Sequence, residues 1–312
     1  PIYIVSTLLI IFSIITFFLN KKIKEYLILA TLSIMVSLYA VETYLVIKHI
    51  QLVKNQPFLK EKRKNEKIIK KELYEKKTGK KYETRSQLEI YEDLLKIDNK
   101  IKVSVPPRES LSDNQKIFPL SGISYSETIH CNENGYYSIY QSDRYGFNNP
   151  DEEWDNNEIE YLLIGDSFTH GACVNRPNDI ASVLRTLSNK SVLNLGYSSN
   201  NALIEYATLR EYLNPNIKKV IWIYFINDIN FNNELNNQIL KNYLKDLSFS
   251  QNLKSRQKDV NVTVNAKIED ARKKRIEYLK NPPSEEKKEK ESFKSKLIKF
   301  IKFYNLRFIL FP

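Results

Sequence analysis

The sequence predicts an α/β domain, a parallel sheet covered by helices on both faces, carried behind a membrane-embedded helical hairpin. Three observations lead there. Residues 1–47 hold two apolar runs separated by one short basic stretch. Residues 160–228 alternate three strand patterns with two helical ones, the order that builds parallel sheets. Three of only seven glycines, Gly165, Gly171 and Gly196, fall inside that second region, where tight strand-to-helix turns need them.

Residues 1–19, "PIYIVSTLLIIFSIITFFL", are uncharged and long enough to cross a bilayer as a helix. A signal peptide is the rival reading, but the run is long for one and a second apolar run follows at once. That second run, "YLILATLSIMVSLYAVETYLVI" at 26–47, contains one acid, Glu42, close enough to its end to reach the interface. The intervening "NKKIKE" is expected to form the tight turn of a hairpin over residues 1–48. Lys21, Lys22 and Lys24 in that turn favour a cytoplasmic loop and an external main domain. The residues after the second run carry more positive charge and point the other way.

The net charge of +11 is concentrated. Residues 48–81 hold thirteen Lys/Arg against four Glu, a local excess of nine. Nucleic-acid binding would call for stacking aromatics or a recognisable module beside that charge, and neither is there. A solvated, partly helical linker near anionic headgroups is the expected role, within a segment 49–117 that has no nucleic-acid partner. It continues as a helical pattern, "TRSQLEIYEDLLKI", and an extended "KVSVPPRESLS" whose prolines fix the chain direction into a domain at 118–312.

From Phe118 lysine thins while Tyr, Ser and Asn rise, and alternating aromatics predict short strands and turns on a surface. "YLLI" then reads as a buried strand, "NDIASVLRTLS" as a helix, "SVLNLG" as a strand, "NALIEYATLREYL" as a helix and "KKVIWIYFI" as a third strand. From about residue 232 the chain is charged, Gly-free and helical, broken at "NPPS". Three strands make a thin sheet.

Function in such domains collects at the carboxyl ends of the strands. Gly165-Asp166-Ser167 ends the first, Asn194-Leu195-Gly196 the second and Asn227-Asp228 the third. A serine at a sharp strand-to-helix turn exposes its hydroxyl, with backbone N–H groups nearby for a developing oxyanion. Asp166 and Asp228 read as groups that order their turns.

These three blocks, "GDSFTHG", "NLG" and "IND", resemble those of the SGNH, or GDSL-like, hydrolases, and the run from "SGIS" through "GYYSIYQSDRYGFNNP" to "ATLREY" resembles a membrane-anchored bacterial subgroup. The resemblance implies a flavodoxin-like three-layer fold and a serine esterase without cofactor or metal. It makes Ser167 the nucleophile, with the Gly196 N–H and the Asn227 side chain as oxyanion donors. It also implies a Cys131–Cys173 disulfide pinning the preceding segment over the site rim. From the residues alone, the two cysteines read equally as unrelated thiols. A disulfide would place the domain outside the cytoplasmic membrane.

The chain departs from the family at two places. Phe225 and Ile226 stand where the third block ordinarily has a glycine, and no Asp-x-x-His block supplies a base. The histidines are His49, His130 and His170. His49 reads as a solvated residue at the membrane edge and His130 as structural. His170 reads as a pocket-lining residue, with a substitute base as the alternative. Pro1 in place of methionine and the apolar "NLRFILFP" end lead to the expectation of a fragment, inactive alone because a serine without a base is a poor nucleophile. The activity expected of the whole is hydrolysis of an ester on an acylated glycan or lipid. The alternatives are O-acyl transfer from the same serine, or a catalytically dead, membrane-tethered glycan-binding or assembly module.

Overall fold

The structure, a computed structural model, describes residues 16, 18–54, 57–112, 116–225, 228, 233–281, 294–304 and 306. The chain divides into two units, residues 1–66 with 282–312, and residues 67–281.

In the first unit, helix α1 (Lys21–Lys54) starts where Asn20 Oδ1 accepts the Ile23 N–H at 2.9 Å. The lysines expected in a turn therefore lie in the first helical turn: the Asn20 cap, a strong helix-start signal, outweighs the loop reading. Among the described residues one helix is long and apolar enough to cross a membrane, Lys21–Lys48 of α1. The first expected span, 1–19, lies outside the described residues except for 16, 18 and 19. Ile28, Leu29, Leu32 and Ile34 of α1 are exposed, as a lipid-facing surface requires. Glu42 has a partner within this unit. It is fully buried and accepts the Leu306 N–H at 2.9 Å, while Tyr39 packs on Phe303 with ring centroids 4.4 Å apart.

The 49–117 segment is divided between the units, residues 49–66 in the first and residues 67–117 in the second. Helix α2 (Pro57–Thr78) holds the basic run, and α3 (Gln87–Leu95) starts at a capping box in which Ser86 and Glu89 satisfy each other's backbone N–H. Ile90, Tyr91, Ile101 and Val103 bury their side chains in the main core, so the second unit begins well before residue 118. Strand β1 (Lys102–Val103) runs parallel to β2 (Glu127–Ile129), which pairs antiparallel with β3 (Ile139–Gln141). The aromatic-rich stretch thus forms a small sheet of its own, with Ile129 and Tyr140 buried.

The larger sheet is parallel, in the order β5–β4–β6, from β4 (Ile159–Gly165), β5 (Val192–Asn194) and β6 (Ile217–Ile223). Between them lie a single turn α4 (Ser167–His170), α5 (Ile180–Ser188) and α6 (Ala202–Tyr212). Alternation along β4 sends Leu162 and Ile164 into the core with Leu203, Ile204 and Ala207 of α6, and Leu163 to the opposite side with Ala181 of α5. The expected layering holds around β4 and β5. It fails at β6, where Val220 is 43% and Trp222 39% exposed, because no described helix covers that edge. Helices α7 (Gln238–Lys245) and α8 (Gln257–Lys280) follow, α8 burying Val260, Val264 and Ile268 at helical spacing.

Carboxylates anchor these pieces. Asp143 accepts the Tyr145 and Phe147 N–H groups and the side chains of Asn149 and Trp154. Glu234 caps α6, accepting the Leu203 and Ile204 N–H groups at 3.1 and 3.2 Å. Glu205 accepts the Trp222 Nε1–H at 2.7 Å, tying α6 to β6. Burial pushes the Glu205 carboxyl up to about 8, with neighbouring acids adding to it, and pushes Glu234 up to about 7 against the backbone N–H groups that favour its charged form. Each folded-state value lies above the unfolded one, so the stability they contribute is complete below about pH 4.3 and is lost as pH rises through 7 and 8. The thermal midpoint of the second unit is expected to fall between pH 5 and pH 8.5. Glu205→Gln should flatten that slope in circular dichroism melts, and an unchanged slope would refute the assignment.

Candidate active-site pocket

The backbone leaves β4 through a turn that has no room for a side chain. A Cβ on Gly165 would lie 2.2 Å from Thr169 Oγ1 and 2.6 Å from the Ile223 carbonyl oxygen. Asp166 Oδ1 then accepts the Phe168 N–H at 3.0 Å, ordering the turn as its sequence position indicates. Ser167 begins α4, half-buried, and faces a cavity of about 410 Å³. Gln87, Ser104, His130, Cys173 and Ser198 share its walls. No side chain among the described residues hydrogen-bonds to Ser167 Oγ.

The second strand end closes on this turn. Asn194 Nδ2 donates to the Thr169 carbonyl at 2.6 Å, and a Cβ on Gly196 would meet Thr169 Cβ at 2.4 Å and the His170 nitrogen at 2.7 Å. Ser167 and Gly196 are therefore brought together, but Gly196 acts differently from expectation. Its N–H donates to Asn194 Oδ1 at 2.8 Å, so in this arrangement Gly196 supplies close approach and not an oxyanion hydrogen bond. Asn227 lies outside the described residues. Its flanks reach the same place: the Phe225 ring sits 5.4 Å from that of Phe168, and Asp228 Oδ2 accepts the Phe225 N–H at 2.7 Å.

The opposite wall was not legible from spacing. Cys131 and Cys173 form a disulfide, Cα atoms 4.8 Å apart, that joins the end of β2 to the residues after α4. His130 consequently stands against His170, ring centroids 4.0 Å apart. Ser198 lies between them. Its N–H donates to His170 Nδ1 at 3.1 Å, and its Oγ lies 2.7 Å from His130 Nε2 and 3.2 Å from His170 Nδ1. His170 Nε2 lies 3.1 Å from the Tyr140 hydroxyl. His170 is fully enclosed and partnered inside the cluster, which places it away from a role as base for Ser167. Burial pushes His130 down to about 4; burial, with His130 adding to it, pushes His170 well below the ordinary imidazole value, so both rings are neutral at pH 7. His130 and Ser198 are the residues that sequence reasoning passed over. The signal was the His130–Cys131 adjacency, since a bond from Cys131 to Cys173 forces His130 beside the serine turn.

Among the described residues no cluster of His, Cys, Asp and Glu is arranged to hold a metal ion. Comparison with family models, curated proteins and solved structures gives no match for this chain.

Gly196→Ala is expected to destabilise the second unit by about 1–3 kcal/mol through overpacking, read as a lowered melting midpoint. Reduction of Cys131–Cys173, which closes a loop of 42 residues in sequence separation, should cost on the order of 2–4 kcal/mol and loosen the His130 wall. A melt insensitive to dithiothreitol would count against that bond as a structural tie.

Proposed function

We propose that the chain carries a membrane-anchored serine ester hydrolase site of the SGNH, or GDSL-like, type, acting on an acylated glycan or lipid outside the cytoplasmic membrane. The observation that carries this reading is Ser167 at the end of the central strand, its hydroxyl on a cavity and the second strand's loop packed against its turn. Ser167 Oγ attacks the ester carbonyl; the Ser167 N–H and the Asn227 side chain serve the oxyanion, and the Gly196 N–H joins them only by leaving Asn194. Water or a sugar hydroxyl then takes the acyl group, which makes the site a hydrolase or an O-acyltransferase. The base is the family's Asp-x-x-His, absent from residues 1–312. The anchor is a two-helix hairpin over residues 1–48, and the disulfide supports an oxidising, external side.

A second reading, a membrane-tethered glycan-binding module, is favoured by the absence of any side chain on Ser167 Oγ among the described residues. The two separate in membranes containing the full-length gene product. A fluorophosphonate probe should modify the peptide that contains Ser167, and Ser167→Ala should remove that modification without lowering the melting midpoint. A folded protein whose Ser167 peptide stays unmodified would establish the binding module.

A further inference from the structure

The cavity holds a second hydroxyl, and this one has a base. His170 Nδ1 offers a single lone pair, already filled by the Ser198 N–H. The Ser198 hydroxyl hydrogen is left to His130 Nε2, at 2.7 Å the shorter of its two contacts with the rings. His170 is thereby fixed with its hydrogen on Nε2, directed at Tyr140, and Ser198 sits between one ring that orients it and one that can take its proton. The residue that follows, Ser199, takes a left-handed backbone conformation, φ 64°, of the kind that collects at functional sites. Both Ser198 and His130 line the cavity.

The walls also define what can enter. Among the described residues they include hydroxyls, amides and one acid, Glu133, but no lysine or arginine, and the imidazole there is neutral. A phosphorylated or carboxylate-bearing donor would meet no positive charge. The volume, about 410 Å³, suits a small acyl chain with part of one sugar or glycerol unit.

We propose that Ser198, with His130 as its base, is a second nucleophile of this pocket, accepting acyl groups from uncharged esters. In the step, the Ser198 Oγ–H proton passes to His130 Nε2 as Oγ bonds to the acyl carbon. The ester C–O bond breaks, and the proton held by His130 goes to the departing alkoxide. Water reverses the sequence and releases the acid. The pair uses the pocket of the proposed hydrolase but neither its serine nor a base from outside residues 1–312.

The test is peptide mapping of the 312-residue chain in detergent after reaction with p-nitrophenyl acetate. Acetyl is expected on the Ser198 peptide, gone in Ser198→Ala, reduced at least tenfold in His130→Gln, and retained in Ser167→Ala. Acetyl phosphate at equal concentration should give at least tenfold less. Should Ser198→Ala unfold the protein, Ser198→Cys supplies a separate measurement. With both native cysteines in the disulfide, its thiol should react with iodoacetamide at pH 7 at least tenfold faster than in Ser198→Cys with His130→Gln. Equal rates, or acetyl on Ser167 alone, would overturn the proposal while leaving the Ser167 reading standing. Acetyl on Ser198 without any probe on Ser167 would do the reverse. Acetyl phosphate as the better donor would overturn the uncharged-substrate assignment.

Discussion

The site depends on one steric constraint: the turn 167–170 is wedged between two strand ends with no space for a Cβ on either side. Gly165 lets the turn fold back under Thr169, and Gly196 lets the second loop lie against the same residue. Asn194 then locks the contact with both ends of its amide, one on the Thr169 carbonyl and the other on the Gly196 N–H. Because Asn194 is itself held by Asn149, and Asn149 by Asp143, the order of the turn is transmitted from a buried carboxylate three hydrogen bonds away. Position here comes from excluded volume first and from hydrogen bonds second.

The far side of the pocket is built on a different principle. It is pulled into place by a covalent bond and then filled by rings. His130, His170, Tyr140 and Tyr197 pack edge and face together, with Ser198 bridging the imidazoles. Such a polar cluster in a buried place is tolerated because its hydrogen bonds are made internally, and the same burial keeps both imidazoles uncharged.

Much of the parallel sheet was legible because its signals are local. "YLLI", "SVLNLG" and "KKVIWIYFI" differ from the intervening helices in period, and Asp166 orders the turn in which it stands. What failed was long-range. Nothing in residues 82–118 announces that Ile90 and Val103 enter the main core, because an amphipathic helix reads the same whichever surface it meets. The exposed flank of β6 was hidden for the same reason: an apolar run does not say whether a cover exists. Gly196 packs against the serine turn, and its N–H goes to a side chain two residues away, a competition that spacing alone does not resolve. His130 looked structural because the chain distance to the serine turn is bridged only through the disulfide.

The two indoles carry a practical consequence. The chain has two tryptophans, and each ring nitrogen ends on a buried acid, Trp154 on Asp143 and Trp222 on Glu205. Ultraviolet emission from this protein is therefore a paired optical probe, one chromophore reporting the scaffold behind the serine turn and the other the uncovered margin of the sheet. Because the second chromophore is partly open to solvent and the first largely shielded, an aqueous quencher would separate the two signals without any added label.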